Sequence, residues 1–173
     1  MAETDRLAPH DHEPDDTLQR ALDHALRFLA ARARSIAEVR NRLRRHGYAP
    51  ETVTTVVQRL QELGYLDDDT FALLLARDYL DSPRPKGEYV ILAKLKELGV
   101  PEATARAALE RALEETAESQ YDRVLRAAQR WCRRLRPGDD RARAARRLYN
   151  HLARAGFDHD LIRTVVEQLL PPP

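Results

Sequence analysis

One short phrase occurs three times along this chain: a leucine, three residues, a glycine, one apolar residue, and then an apolar helical period. It reads Leu43-Arg44-Arg45-His46-Gly47-Tyr48, Leu95-Lys96-Glu97-Leu98-Gly99-Val100 and Leu152-Ala153-Arg154-Ala155-Gly156-Phe157. The same offsets beyond each glycine hold Val53, Val56, Val57 and Leu60, then Ala105, Ala108, Leu109 and Ala112, then Ile162, Val165, Val166 and Leu169, all apolar. With glycines at 47, 99 and 156 the repeat is about 50 residues, long for a helix pair and right for three helices with their turns. A chain built this way is a helical repeat protein, and such proteins work through a surface more often than through a catalytic pocket.

A compact chain of this length buries roughly 70% of its unfolded surface, but units of about 50 residues are small, so neighbouring units are expected to share cores. The apolar share of 43% is enough for a core, and the charged share of 33% leaves a heavily charged exterior. The net charge of +1 conceals a segregation. Residues 1–16 carry Glu3, Asp5, Asp11, Glu13, Asp15 and Asp16 against Arg6, whereas 123–154 carry eleven arginines against Asp139 and Asp140. Arginine displaces lysine almost everywhere, Lys86, Lys94 and Lys96 being the exceptions. Cys132 is the sole cysteine, which excludes an internal disulfide and points to a reducing, cytoplasmic compartment; its place on an apolar face makes it a packed thiol. No signal peptide or membrane-spanning run is visible.

Residues 1–16 lack periodicity and read as a disordered acidic leader, whose His10-Asp11-His12-Glu13 has ligand chemistry but no fixed geometry. The first unit, 17–64, opens at Thr17 as N-cap, with Leu18, Ala21, Leu22, Ala25, Phe28 and Leu29 inward to about Arg32. Ser35-Ile36-Ala37-Glu38 is a capping box starting a second helix on Ile36, Val39 and Leu43, and a third runs from Pro50 to Gly64. The second unit, 65–115, begins with an acid-capped helix burying Phe71, Leu74, Leu75 and Tyr79, is broken by Pro83 and Pro85, and continues through Ile91, Leu95 and Leu98. The third, 116–170, carries the stripe Tyr121, Val124, Leu125, Ala128, Cys132, Leu135 beside Trp131, then a helix on Ala145, Leu148 and Leu152, with 171–173 as a proline tail. The expected fold is all-α, three tandem three-helix repeats in an elongated, curved molecule.

Enzyme chemistry finds little support. Asp67-Asp68-Asp69 has no second acidic cluster to complete a metal site and reads as helix capping; His46, His151 and His159 stand near helix ends and read the same way. Phosphate loops, His-Glu-x-x-His helices and paired-cysteine spacings do not occur, so catalytic, cofactor and metal residues are all expected to be none. The basic stripes are the stronger signal: Arg32, Arg34, Arg40, Arg42, Arg44 and Arg45 against Glu38, Arg143, Arg147 and Arg154 at helical spacing beside Arg146, and Arg126, Arg130 and Arg133 in a second row. Each alone is an ordinary solvated arginine; together they favour an anionic partner, a phosphate backbone or an acidic protein surface.

The ordered series Ala25-Leu26-x-x-Leu29-x-x-Arg32-x-Arg34-Ser35-x-x-Glu38, Leu43, Gly47, then Gly64-Tyr65-Leu66-Asp67-Asp68-x-x-Phe71-Ala72, resembles the RecX family of RecA regulators. Lys86-Gly87-x-x-x-Ile91-x-x-x-Leu95-x-x-x-Gly99-Val100 is similar to that family's second unit, and Arg147-Leu148-x-x-x-Leu152-x-Arg154-x-Gly156-Phe157 to its third. The likeness spans about residues 20–170 and leaves out the leader; Val39 replaces a usual leucine and Ala155 a common basic residue. The resemblance implies a monomer that lodges along the RecA–DNA filament and limits strand exchange, ATP hydrolysis and repressor cleavage, with DNA as a further contact and no membrane. It brings no catalytic residues, so the candidates are surface cations: Arg40, Arg44, Arg84, Lys86, Arg143, Arg147 and Arg154. An independent helix-turn-helix-like DNA-binding protein is the alternative, distinguished by tight duplex binding without RecA, and a scaffold indifferent to nucleic acid is a third.

Overall fold

The computed structural model describes residues 14–136 and 138–171. Among the described residues there are nine α-helices and no β-strand: α1 (Pro14–Ala31), α2 (Ile36–Arg45), α3 (Pro50–Glu62), α4 (Asp68–Asp81), α5 (Glu88–Glu97), α6 (Glu102–Glu115), α7 (Gln120–Cys132), α8 (Arg141–Arg154) and α9 (His159–Leu169). They pack as three successive triplets, each around its own cluster of buried side chains. The chain divides between Leu66 and Asp67 into two compact units, the first holding α1 to α3 and the second the other two triplets.

The repeated phrase is a helix stop. In α2, α5 and α8 the leucine is fully buried, and its carbonyl accepts a hydrogen bond from the residue after the glycine: Tyr48 to Leu43 at 3.4 Å, Val100 to Leu95 at 3.0 Å, Phe157 to Leu152 at 3.4 Å. That closure requires a left-handed residue between them, and Gly47, Gly99 and Gly156 have φ of 82°, 79° and 86°. The chain then enters the third helix of each triplet, whose four apolar positions face the cluster. Of the twelve, eleven are buried; Leu169, at the end of α9, is half-buried.

Four expectations are corrected. Within the second unit the two triplets do not share a core: the clusters around Ile91 and Leu95 and around Leu148 and Ile162 draw on separate helices. Helix α1 begins at Pro14 instead of after Thr17, since proline is tolerated in a first turn; the rest of the acidic leader lies outside the described residues. Leu74 is 50% exposed, because α4 is apolar around much of its circumference and its packed face runs through Ala72, Leu73, Ala76 and Leu80. Leu74 stands about 200° of helical rotation from both Ala72 and Ala76. In α8 the buried alanine is Ala144, with Ala145 packed at the cluster's edge.

Within the second unit the two triplets meet through backbone and arginine. The Gly87 amide donates to the Ala155 carbonyl at 2.8 Å, and a Cβ on Gly87 would collide with the Gly156 carbonyl. A Cβ on Gly156 would lie 2.6 Å from Val90 Cγ2 and 2.7 Å from its amide nitrogen. Arg126 of α7 donates to the carbonyls of Leu80 (3.1 Å) and Ser82 (2.9 Å) at the end of α4 while pairing with Glu118 at 2.8 Å. Arg123 is 3% exposed and donates to the Glu118 carbonyl at 2.6 Å; Gln120 bonds Glu88 of α5. Charge-assisted bonds to carbonyls and a close glycine approach do here what a shared apolar core would otherwise do.

Candidate functional surface

Several charged residues legible in the sequence prove to be architectural. Ser35 Oγ accepts from the Glu38 amide and the Glu38 carboxylate accepts from the Ser35 amide, both at 3.1 Å, completing the capping box of α2. The same carboxylate pairs with Arg32 at 2.6 Å and Arg34 at 3.3 Å, and Arg34 lies 4.0 Å over the Phe28 ring. Arg32 and Arg34 therefore tie the α1–α2 turn and leave the basic stripe. Arg126 leaves it for the same reason. Asp67 caps α4, accepting from the amides of Asp69 and Thr70 and from the Thr70 hydroxyl, and these bonds, the hydroxyl first, hold its carboxyl below the usual aspartate range.

A set of candidate cations remains exposed. Arg40 and Arg44 stand in solvent on α2 of the first unit beside Arg45, and none of the three makes an ion pair among the described residues. In the second unit Arg143, Arg147 and Arg154 are exposed along α8, likewise without an acid partner among the described residues, and Arg147 sits 5.8 Å over the Trp131 ring. Arg84 and Lys86, from the α4–α5 connection, are brought against α7 and α8. There a pocket of about 220 Å³ is lined by Pro83, Arg84, Pro85 and Lys86, by Ala127, Arg130, Trp131 and Arg134, and by His151 and Ala155. Five of the seven candidate residues thus belong to the second unit, two of them in one cavity.

His151 is not a cap. It faces this pocket, and burial first, then the charges of Arg154, Arg134 and Lys86, lower its pKa below the ordinary 6.5. His46, by contrast, is the C-cap of α2, its Nδ1 2.9 Å from the Arg42 carbonyl, and His159 opens α9 with Nδ1 2.8 Å from the Tyr149 hydroxyl. Cys132 is half-buried against the third cluster, and burial pushes its thiol up, away from nucleophile chemistry. Among the described residues no three His, Cys, Asp or Glu side chains converge as metal ligands; the histidines at 10 and 12 lie outside them. No helix among the described residues is long and apolar enough to cross a membrane.

Sequence reasoning named Arg130 as part of a row and missed Arg134 and His151 as functional candidates. Ala127, Arg130, Trp131 and Arg134 follow the i, i+3, i+4, i+7 pattern of one helix face, a signal present in the sequence. That the 83–86 connection closes over that face was not.

Three helix triplets, each closed on its own buried cluster and carrying exposed arginines, define an all-α protein of tandem three-helix modules. Residues 21–60 match the first three-helix domain of RecX and 117–166 the third. A protein named Regulatory protein RecX from Prosthecochloris aestuarii is 34% identical over 162 residues, covering 90% of this chain and 97% of that one. Another of that name from Mycobacterium avium is 34% identical over 162 residues, covering 91% and 88%. The chain belongs to the RecX family of regulatory proteins. The crystal structure of RecX from Lactobacillus salivarius shares the fold, with a TM-score of 0.75, 23% identity, and coverage of 90% of this chain and 97% of that one.

Proposed function

We propose that this protein is a non-catalytic cytoplasmic regulator that binds, as a monomer, along the RecA–DNA filament and restrains RecA's strand exchange, ATP hydrolysis and coprotease activity. The observation that carries this is family membership joined to the distribution of charge: Arg40, Arg44, Arg84, Lys86, Arg143, Arg147 and Arg154 reach solvent on two units without acid partners among the described residues. Cations so disposed meet a polyanion at several points, and linked modest contacts multiply through effective concentration. Guanidinium groups also suit forked contacts to phosphate and carboxylate, the two anionic groups such a filament presents. The decisive measurement is a titration of RecA's ATPase on single-stranded DNA. The rate should fall at substoichiometric amounts of this protein, and a rate unchanged at molar excess would refute the proposal.

A further inference from the structure

We infer that the pocket between the 83–86 connection, α7 and the end of α8 is a receptor for one phosphate group, held by Arg84, Lys86, Arg130 and Arg134 with Trp131 as its apolar wall. This deepens the reading of the exterior as a polyanion-binding surface, and it names the chemistry of one site on it.

The lining contains four cations and no carboxylate, and none of the four makes an ion pair among the described residues. Like charges gathered around one concavity repel, and that repulsion is relieved when an anion enters; other arginines of this chain are paired with acids, Arg106 with Glu102 and Arg163 with Asp160. His151, on the same wall, has its pKa lowered first by burial and then by the charges of Arg154, Arg134 and Lys86, the last two of which line the pocket with it.

The cavity is also pre-shaped. Prolines flank Arg84 on both sides and restrict the backbone, Pro85 being buried. The Lys86 amide donates to the Tyr79 carbonyl at 3.1 Å and the next amide, of Gly87, to Ala155, so the connection is tied to both α4 and the end of α8. Cations on such a support lose little backbone freedom when they close on a ligand. Size selects the ligand: about 220 Å³ is below the roughly 300–1,000 Å³ of sites that engulf a whole small molecule, and it suits a phosphate with part of its sugar. A free phosphorylated small molecule and a nucleic-acid strand share that group.

Trp131 is the only tryptophan and lines the pocket, so its fluorescence is a built-in reporter. The full chain is titrated at low salt with inorganic pyrophosphate and, separately, with a short oligothymidylate lacking a terminal phosphate. Both are repeated with Arg84→Gln/Arg134→Gln and with Arg44→Gln/Arg45→Gln, which removes equal charge from the first unit. All four side chains are exposed, so helix content by circular dichroism should be unchanged. The expected result is a saturable change that weakens about tenfold for each site cation removed and by no more than about twofold in the first-unit control. A response to pyrophosphate alone identifies the free group as ligand, a response to the strand alone identifies the phosphodiester, and both support the site if they depend on Arg84 and Arg134. No saturable response to either probe, or equal weakening in the two double variants, overturns it. Neither probe involves RecA, so loss of this site leaves the filament proposal standing, and an unchanged ATPase leaves the site standing.

Discussion

Replacing Gly156 with alanine tests whether the junction within the second unit depends on a glycine for its backbone angle or for its lack of a side chain. Gly138, in the connection between α7 and α8 of the same unit, has φ of 92° against 86° for Gly156, but a Cβ there meets nothing within 4 Å. Gly138→Ala should therefore cost only the left-handed penalty, about 1–2 kcal/mol. Gly156→Ala carries the same penalty and adds a Cβ 2.6 Å from Val90 Cγ2 and 2.7 Å from a backbone nitrogen that is fixed in the first turn of α5. Overpacking of this kind costs about 1–3 kcal/mol, so the total is about 2–5 kcal/mol. Unfolded-chain entropy changes alike in both variants and cancels in the comparison. Urea unfolding followed by Trp131 fluorescence reports this unit. An extra loss of about 2 kcal/mol lowers the midpoint by about 1 M at a slope near 2 kcal/mol/M. Coincident midpoints for the two variants would refute the claim that close approach of the two triplets is what Gly156 serves.

Leu152→Ala removes a fully buried side chain from the third cluster and should cost about 2–5 kcal/mol; an unaltered melting temperature would contradict the helical frame of α8. Asp67→Ala removes the α4 cap and should cost about 1 kcal/mol at neutral pH, read by thermal melting. Because the folded Asp67 binds its proton more weakly than the unfolded residue does, this stabilisation is present above the ordinary value of 3.8 and is lost as pH falls toward the lower folded value. The gap in melting temperature between wild type and Asp67→Ala should accordingly narrow in acid. Charge reversal at Arg143 and Arg147 should weaken RecA-filament binding, measured by the ATPase titration, with no change in helix content since both side chains are exposed; unchanged inhibition would return both residues to solvent.

Local, repeated chemistry was legible in the order of residues. The Leu-x-x-x-Gly phrase specifies a helix stop because a buried leucine carbonyl, a left-handed residue and a following amide lie within six positions, and Ser35 and Glu38 specify a helix start for the same reason. Helix class, helix number and the apolar third helices follow from such short-range terms. Where the apolar pattern was too full to have a phase, as in α4, the sequence left the buried face ambiguous and Leu74 was misplaced.

Long-range placement was decided by the tertiary structure. Two arginines of one helix behave differently although sequence spacing treats them alike: Arg126 reaches carbonyls at the end of α4, while Arg130 lines an open pocket. Glu118 stands eight positions from Arg126, but the two carbonyls that draw its guanidinium to the end of α4 stand more than forty positions earlier, beyond the reach of spacing within one helix. The sequence by itself determined three helical modules and the clustering of arginines along some of their helices, since periodicity, capping and charge runs are properties of neighbouring residues. Only the folded chain decided which cations are internal ties and which face solvent, since that depends on which carbonyls, carboxylates and rings the packing of distant helices brings within reach.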